Sequence, residues 1–224
     1  MRSKYRIIFF DLDGTLTDSG PGIIDCVRRT VRHMDCPELP PDTLRRFIGP
    51  PTWSSFSVFC HLSPERTQEA VRYFRSIYGS EGVFNNSVYS GIPELLDDLH
   101  GAGALLSVAT SKPHSMARKV LDHFALSGKF DYVAAADESD KESDKERLIG
   151  SVLEKTGILP AQAVMIGDTK YDAAGARKAG VDFVGVLYGF GTEEEMRREG
   201  GKTFSRTVDG LYCKLLDKRQ SAVV

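Results

Sequence analysis

Two short stretches of this sequence place carboxylates where a buried strand is expected to end. Asp11 and Asp13 directly follow the apolar run of residues 7–10. Asp168 follows a second apolar run, and Asp172 comes one helical turn later, so both side chains can face one point. Two carboxylates about 4 Å apart repel by about 4 kcal/mol at an effective dielectric of about 20. The spacing therefore predicts a bound cation, and ligands that are all oxygens favour Mg²⁺.

An aspartate at a strand end is also a common turn former or helix N-cap. For a lone Asp-Gly pair, that structural interpretation would be preferred. Here the pattern Asp-x-Asp-Gly-Thr follows one apolar run and Gly-Asp-x-x-x-Asp follows another. The combination favours a shared site, with Gly14 allowing the backbone to approach a ligand.

The elements that must position these residues can be read from the apolar pattern. Five apolar runs predict buried strands: Tyr5 to Phe10, Ala104 to Ala109, Tyr132 to Ala135, Ala163 to Ile166 and Phe183 to Leu187. Apolar residues at the helical period predict helices over Ile92 to Leu99, Met116 to Phe124 and Leu148 to Leu153. Alternating strands and helices predict a doubly wound parallel α/β sheet, in which ligands bind beyond the carboxyl ends of the strands.

The alternation is interrupted once, between residues 19 and 89. This interval contains amphipathic helical patterns separated by proline-rich punctuation and no convincing strand. We therefore expect an α/β core domain, residues 1–18 and 90–224, and an inserted all-helical domain, residues 19–89. The joining segments near residues 18–22 and 88–91 are candidate hinges.

Composition excludes several classes of function. The 224 residues carry 29 Lys+Arg and 31 Asp+Glu, a net charge of −2, and show no basic run, so a nucleic-acid partner is not expected. The first apolar run is too short for a signal-peptide core or a membrane span, which predicts a cytoplasmic protein without membrane association. The four cysteines lack the spacing of a zinc site or a disulfide scaffold. We expect a monomer or a homodimer, and the sequence does not distinguish the two.

The order of motifs resembles the haloacid dehalogenase superfamily of phosphotransferases, in the phosphoglycolate phosphatase-like branch with a helical cap. The resemblance spans nearly the whole chain and rests on Asp11-Leu12-Asp13-Gly14-Thr15, Thr110-Ser111, a lysine before a helix, and Gly167-Asp168 with Asp172. It implies a sheet with the first strand central, the second and third strands on one side, and the fourth and fifth on the other.

The resemblance also implies roles for individual residues. Asp11 would attack phosphorus and become an aspartyl phosphate, while Asp13 acts as general acid and then general base. Mg²⁺ would be held by Asp11, the backbone carbonyl of Asp13, and Asp168. Asp172 would either bind Mg²⁺ directly or accept a hydrogen bond that orients the groups around the ion.

Phosphate oxygens would be held by Asp11, Gly14, Thr110, Ser111 and the active-site lysine. Thr110 follows the second apolar run, where its hydroxyl can reach a phosphate at the start of a helix. Thr110 and Ser111 are also what a plain helix start looks like. Lys145, just before a helical pattern, fits the family's lysine better than Lys141, one step earlier in the same charged loop.

The expected activity is hydrolysis of a small phosphorylated metabolite, with phosphoglycolate or a nucleoside monophosphate as leading candidates. A phosphomutase and a non-catalytic phosphate-binding regulator are the alternatives. In the insert, Arg45, Arg46, Trp53 or Phe56 could contact substrate, although solvated arginines and a packed aromatic core are the stronger interpretation. No lysine lies between Lys4 and Lys112, which argues against phosphonate cleavage in this family, and the presence of Asp13 argues against dehalogenation.

Overall fold

The computed structural model describes residues 2–137 and 144–217. Its centre is a parallel sheet of six strands: β1 (Ile7–Phe10), β2 (Leu105–Pro113), β3 (Tyr132–Ala136), β4 (Ala163–Gly167), β5 (Asp182–Val186) and β6 (Thr203–Ser205). The strands lie in the order β3-β2-β1-β4-β5-β6, and all neighbours are parallel. This confirms the predicted fold class and places the first strand between the second and the fourth.

The central strand is buried on both faces, as its uninterrupted apolar run predicts. Phe10, its last residue, pairs with Val108 of β2 and with Ile166 of β4. Strands β1 and β4 therefore end almost level, whereas β2 continues past this level to Pro113. Side chains that follow each strand are brought to one edge of the sheet.

Helices cover both faces of this sheet: α5 (Ile92–Gly101), α6 (His114–His123), α7 (Lys145–Thr156), α8 (Lys170–Ala179), α9 (Glu193–Arg198) and α10 (Val208–Leu215). The four helices of the insert precede them in the chain. Ile8 and Phe10 face a core shared with α5, α6 and α10. Ile7 and Phe9 point the opposite way, toward α7 and α8. The alternation follows from the two-residue period of a strand.

Between β1 and β2 the chain forms four helices: α1 (Gly20–His33), α2 (Pro41–Arg45), α3 (Thr52–Phe59) and α4 (Pro64–Ser80). They pack around aromatic rings, with Phe56 in edge contact with both Phe47 and Phe74. The insert is joined to the sheet by a short antiparallel ribbon in which residues 17–18 pair with residues 87–88. The ribbon overlaps both candidate hinge segments, and the domain limits themselves stay a prediction.

Three details differ from the sequence-based expectation. The short strand β6 extends the sheet beyond the five expected strands. Strand β2 runs on to Pro113, so the helix expected at Thr110-Ser111 begins only at His114. Residues 2–3 pair with residues 216–217 in a separate two-stranded sheet.

Short 3₁₀ turns lie at Gly82–Phe84, Ser127–Lys129 and Pro160–Gln162. Within the described residues, no helix combines the length and the apolar character that a membrane span requires.

Candidate active site

Three carboxylates converge at the carboxyl edge of the sheet. Asp11 is the first residue after β1, Asp168 is the first after β4, and Asp172 lies in the first turn of α8. One carboxylate oxygen from each lies within 4.8 Å of the others, and all three residues are buried. The level strand ends bring Asp11 and Asp168 together, and the helical turn adds Asp172.

Lys145 lies among these carboxylates. It begins α7, and its ammonium is 2.7 Å from Oδ1 of Asp11 and 2.7 Å from Oδ1 of Asp172. It also donates to the carbonyl of Ala109 at 2.8 Å, and the residue is only 4% exposed. The alternative lysine, Lys141, lies outside the described residues.

Asp172 has a structural task in addition to its place in the cluster. Its Oδ2 accepts hydrogen bonds from the amide and the hydroxyl of Thr169, at 3.0 and 2.7 Å. The bond from the amide is one half of a capping box at the start of α8. Its Oδ1 faces Lys145. These contacts fit a carboxylate that orients Lys145 and the start of α8 and does not itself bind the cation.

Asp168 is held by two donors and by close backbone packing. It accepts from the Thr15 hydroxyl at 3.1 Å and from the Phe190 amide at 2.8 Å. Gly14 has φ +84°, and a Cβ there would lie 2.3 Å from Oδ2 of Asp168. The amide of Gly14 donates to the carbonyl of Thr17, so the contribution of Gly14 visible here is the space it leaves for Asp168. Its phosphate-binding role stays a prediction.

Asp13 has a cationic partner that sequence reasoning did not identify. The Lys112 ammonium lies 2.9 Å from Oδ1 of Asp13 and donates to the Tyr78 hydroxyl at 2.6 Å. In the sequence, Lys112 lies where a helix was expected to begin, and no site role was predicted for it. Its position two residues beyond Thr110, at the carboxyl edge of a central strand, was the available signal, whereas nothing local pointed to Tyr78 in α4.

Thr110 and Ser111 lie at the same edge of the sheet. Thr110 is buried, and its Oγ1 accepts the amide of Lys112 at 3.2 Å, which leaves the hydroxyl hydrogen for another acceptor. Ser111 lines a cavity between the sheet and the insert. Both residues therefore lie at the edge of the sheet that carries Asp11 and Asp13, and their phosphate contacts stay predictions.

The sequence matches the profile of the haloacid dehalogenase-like hydrolase family over residues 8–186. The chain belongs to this family. A 5'-nucleotidase of Pseudomonas aeruginosa is 39% identical to this hydrolase over 87% of the chain and 88% of the relative. A phosphoglycolate phosphatase of Caulobacter vibrioides is 34% identical over 84% and 81%. The crystal structure of a predicted phosphatase from Clostridium acetobutylicum superposes with a TM-score of 0.88 at 38% identity, covering 94% of this chain and 97% of that one.

These relatives identify the hydrolase as a phosphatase, and the electrostatics of its site fit a bound cation. Burial raises the pKa of Asp11 to about 7, because the Lys145 ammonium offsets only part of the desolvation and Asp172 adds a like charge. Burial, with the charges of Asp172 and Asp11, also raises the pKa of Asp168 well above its usual value. A divalent cation would reverse both shifts by stabilising the ionised carboxylates.

The balance of charge also favours a bound divalent cation. Among the residues that the structure describes, four buried aspartates, Asp11, Asp13, Asp168 and Asp172, face two buried lysines, Lys112 and Lys145. Lys112 pairs with Asp13, so the clustered carboxylates of Asp11, Asp168 and Asp172 face Lys145 alone. With these four groups ionised, two negative charges remain, and one divalent cation would neutralise them. The donors are all oxygens, which suits Mg²⁺. Asp11 and Asp168 would hold the ion, with the carbonyl of Asp13.

A cavity of about 60 Å³ separates Asp13 from the insert of the phosphatase. It has room for only a few water molecules. Lys112 and Ser111 line its sheet side, and Arg75 and Tyr78 of α4 line the opposite side.

The four insert residues considered as substrate contacts lie elsewhere. Phe56 is fully buried in the insert, Trp53 packs partly buried against the same core, and the Arg46 guanidinium lies 4.6 Å above the ring of Phe59. Arg45 and Arg46 line a separate cleft toward Lys170. The packing interpretation is therefore the better one for the aromatic residues.

Proposed function

We propose that this phosphatase is a Mg²⁺-dependent phosphomonoesterase that hydrolyses a small phosphorylated metabolite through an aspartyl phosphate on Asp11. The observation that carries the proposal is the environment of Asp11. Its carboxylate faces the Lys145 ammonium at 2.7 Å and lies within 4.8 Å of Asp168 and Asp172. The proposed nucleophile Asp11 thus lies beside both the fixed charge of Lys145 and the carboxylates that would bind Mg²⁺. Phosphoryl transfer depends on this kind of positioning and charge stabilisation.

The reaction would proceed in two displacements. An oxygen of Asp11 forms a bond to phosphorus while the ester oxygen departs, and Asp13 gives its proton to that oxygen. Asp13 then takes a proton from a water molecule, which attacks phosphorus and releases phosphate from Asp11. Mg²⁺, when bound, would supply charge stabilisation for the phosphate oxygens and would keep Asp11 ionised.

Other residues of the chain would position the phosphate. Lys145 is held by Asp11, Asp172 and the carbonyl of Ala109, so its charge has a fixed location before substrate arrives. The hydroxyls of Thr110 and Ser111 would donate to phosphate oxygens. The insert covers Asp13 and would limit the access of water during transfer.

The cavity beside Asp13 supports a substrate with a small, anionic leaving group. Its volume of about 60 Å³ suits a group of a few heavy atoms. Arg75 at its wall could bind a carboxylate through two parallel hydrogen bonds. Phosphoglycolate has both properties, and the similarity to the phosphatase of Caulobacter vibrioides supports the same choice.

A nucleoside monophosphate is the second candidate because of the similarity to the Pseudomonas aeruginosa 5'-nucleotidase. A nucleoside is larger than this cavity, so that activity would require the insert to move away from Asp13. The two candidates differ in the predicted effect of Arg75. Arg75→Gln should raise KM for phosphoglycolate and leave KM for a nucleoside monophosphate nearly unchanged.

The proposal is tested by measuring phosphate release from a panel of phosphorylated metabolites and an aryl phosphate. Asp11→Asn should abolish release from every substrate while the circular dichroism spectrum stays that of the native protein. Asp25→Asn, an exposed aspartate of α1, is the matched control and should keep full activity.

Turnover by Asp11→Asn would refute the assignment of Asp11 as the nucleophile. Isomerisation of hexose phosphates without phosphate release would indicate a mutase. Phosphate binding without turnover would indicate a regulator.

A further inference from the structure

The proposed general acid and base, Asp13, is linked to the insert through one lysine. Lys112 lies in β2 of the sheet, and Tyr78 lies in α4 of the insert. The Lys112 ammonium is 2.9 Å from Oδ1 of Asp13 and 2.6 Å from the Tyr78 hydroxyl. The three side chains form a continuous polar connection from the insert to the reacting edge of the sheet.

Both ends of this connection are held in place. The Tyr78 ring is 2% exposed and stacks on Phe74, with centroids 5.3 Å apart and planes 9° from parallel. The amide of Lys112 donates to Thr110 at 3.2 Å, which fixes the lysine backbone. Lys112 is only 7% exposed, and a buried ammonium is costly unless it is paired. Its location therefore depends on Asp13 and Tyr78 together.

The two lysines of the site have separate partners. Lys145 contacts Asp11 and Asp172, whereas Lys112 contacts Asp13. Lys145 is tied to the sheet through the carbonyl of Ala109, and Lys112 is tied to the insert through Tyr78. The contact between Lys112 and Asp13 therefore depends on the position of the insert, whereas the contacts of Lys145 do not.

We propose that Lys112 is a positioning residue for Asp13, and that the Tyr78 hydroxyl makes this positioning depend on docking of the insert against the sheet. The inference rests on the proposed function. With the insert docked, Tyr78 accepts a hydrogen bond from Lys112 and directs its ammonium toward Asp13. When the insert moves away, Tyr78 leaves with it, and Asp13 loses the contact that holds its carboxyl group toward the leaving oxygen.

The test exploits the chemistry assigned to Asp13. Protonation of the leaving oxygen matters most for alkyl phosphates, whose alkoxides are poor leaving groups, and least for aryl phosphates with acidic phenols. We would measure kcat/KM, which reports the steps up to transfer onto Asp11, for a series of uncharged alkyl and aryl leaving groups. In Lys112→Met, we expect a loss of about 100-fold for alkyl esters and a much smaller loss for the most acidic phenols. The dependence on leaving-group pKa should become steeper.

Tyr78→Phe removes only the hydroxyl and preserves the stacked ring, so it tests the role of the insert without a large risk to folding. It should steepen the same dependence, though less than Lys112→Met does, and it should have no further effect in the double variant. Tyr73→Phe in the same helix and Lys155→Met, an exposed lysine of α7, are the controls and should keep the native dependence.

A native leaving-group dependence in both Lys112→Met and Tyr78→Phe would overturn the proposal. An altered dependence in Lys112→Met alone would overturn the coupling to the insert. Failure of the proposed function is a separate result, because it would appear as turnover that survives Asp11→Asn.

Discussion

The Lys145 ammonium lies 2.7 Å from the Asp11 carboxylate, although the two residues belong to different strand–helix units of the sheet. The same ammonium lies 2.7 Å from Asp172, so one cation holds two carboxylates that would otherwise repel. All three residues are almost completely buried. This arrangement makes the site sensitive to the loss of any one of its charges.

Removal of Lys145 should strongly impair catalysis. We expect Lys145→Met to lower kcat for an aryl phosphate by about 100-fold to 1,000-fold, because a fixed positive charge on the phosphate oxygens is lost. Steady-state kinetics at saturating Mg²⁺ would measure this. Lys155→Met, in the same helix but exposed, is the control. Equal kcat values in the two variants would contradict the role of Lys145.

Mg²⁺ should stabilise the folded protein through Asp168. At a free ion concentration about 100 times Kd, the free energy of unfolding should rise by about 2.7 kcal/mol. Asp168→Asn should remove most of this gain, and Asp25→Asn should retain it. Urea unfolding of metal-free protein with and without added Mg²⁺ would give the values. Full phosphate release after exhaustive chelation would contradict a metal-dependent reaction.

The stability of the metal-free protein should fall as the pH rises from about 4 to about 7. Burial raises the pKa of Asp11 to about 7 and that of Asp168 well above its usual value, so the folded state holds protons that the unfolded chain releases above about pH 4. The urea midpoint should therefore be lower at pH 7.5 than at pH 5. Asp11→Asn should show a smaller decrease, and a decrease equal to that of the native protein would contradict the assignment.

Gly14 should be intolerant of any side chain because of Asp168. A Cβ at position 14 would lie 2.3 Å from Oδ2 of Asp168, so Gly14→Ala should displace that carboxylate and weaken Mg²⁺ binding and activity together. Gly103→Ala is a matched control, since Gly103 has φ +86° and a Cβ there would meet no other atom within 4 Å. It shares the backbone strain of about 1–2 kcal/mol without the clash. Similar Mg²⁺ affinities in the two variants would argue against the steric explanation.

Much of the sheet was predictable because its central strands β1 and β4 are buried on both faces and the neighbouring strands are largely apolar. Five apolar runs correspond to β1 to β5, and the family resemblance supplied their order. Strand β6 was missed because it has only three residues, of which one is buried. Its pairing depends on the exposed edge of β5, which is a tertiary feature.

The carboxylates were predictable for a related reason. Asp11 and Asp168 directly follow apolar runs, and parallel strands bring their carboxyl ends to one edge, so local pattern and topology together place both residues. Asp172 follows from the helical turn after Asp168. The sequence by itself thus determined the class of fold, the edge of the sheet that carries the site, and the oxygen donors there.

The family resemblance indicated Lys145, but only the tertiary structure showed its two carboxylate partners, brought Lys112 to Asp13 and placed the insert beside them. Lysine side chains are long and flexible, so their partners depend on the packing of α7 and β2 rather than on spacing in the sequence. Lys145 reaches Asp11 and Asp172 because α7 packs beside α8, and Lys112 reaches Asp13 because Tyr78 of the insert closes over it. Contacts between such distant segments produce no periodic pattern in the sequence, because burial and charge pairing form them only in the folded chain.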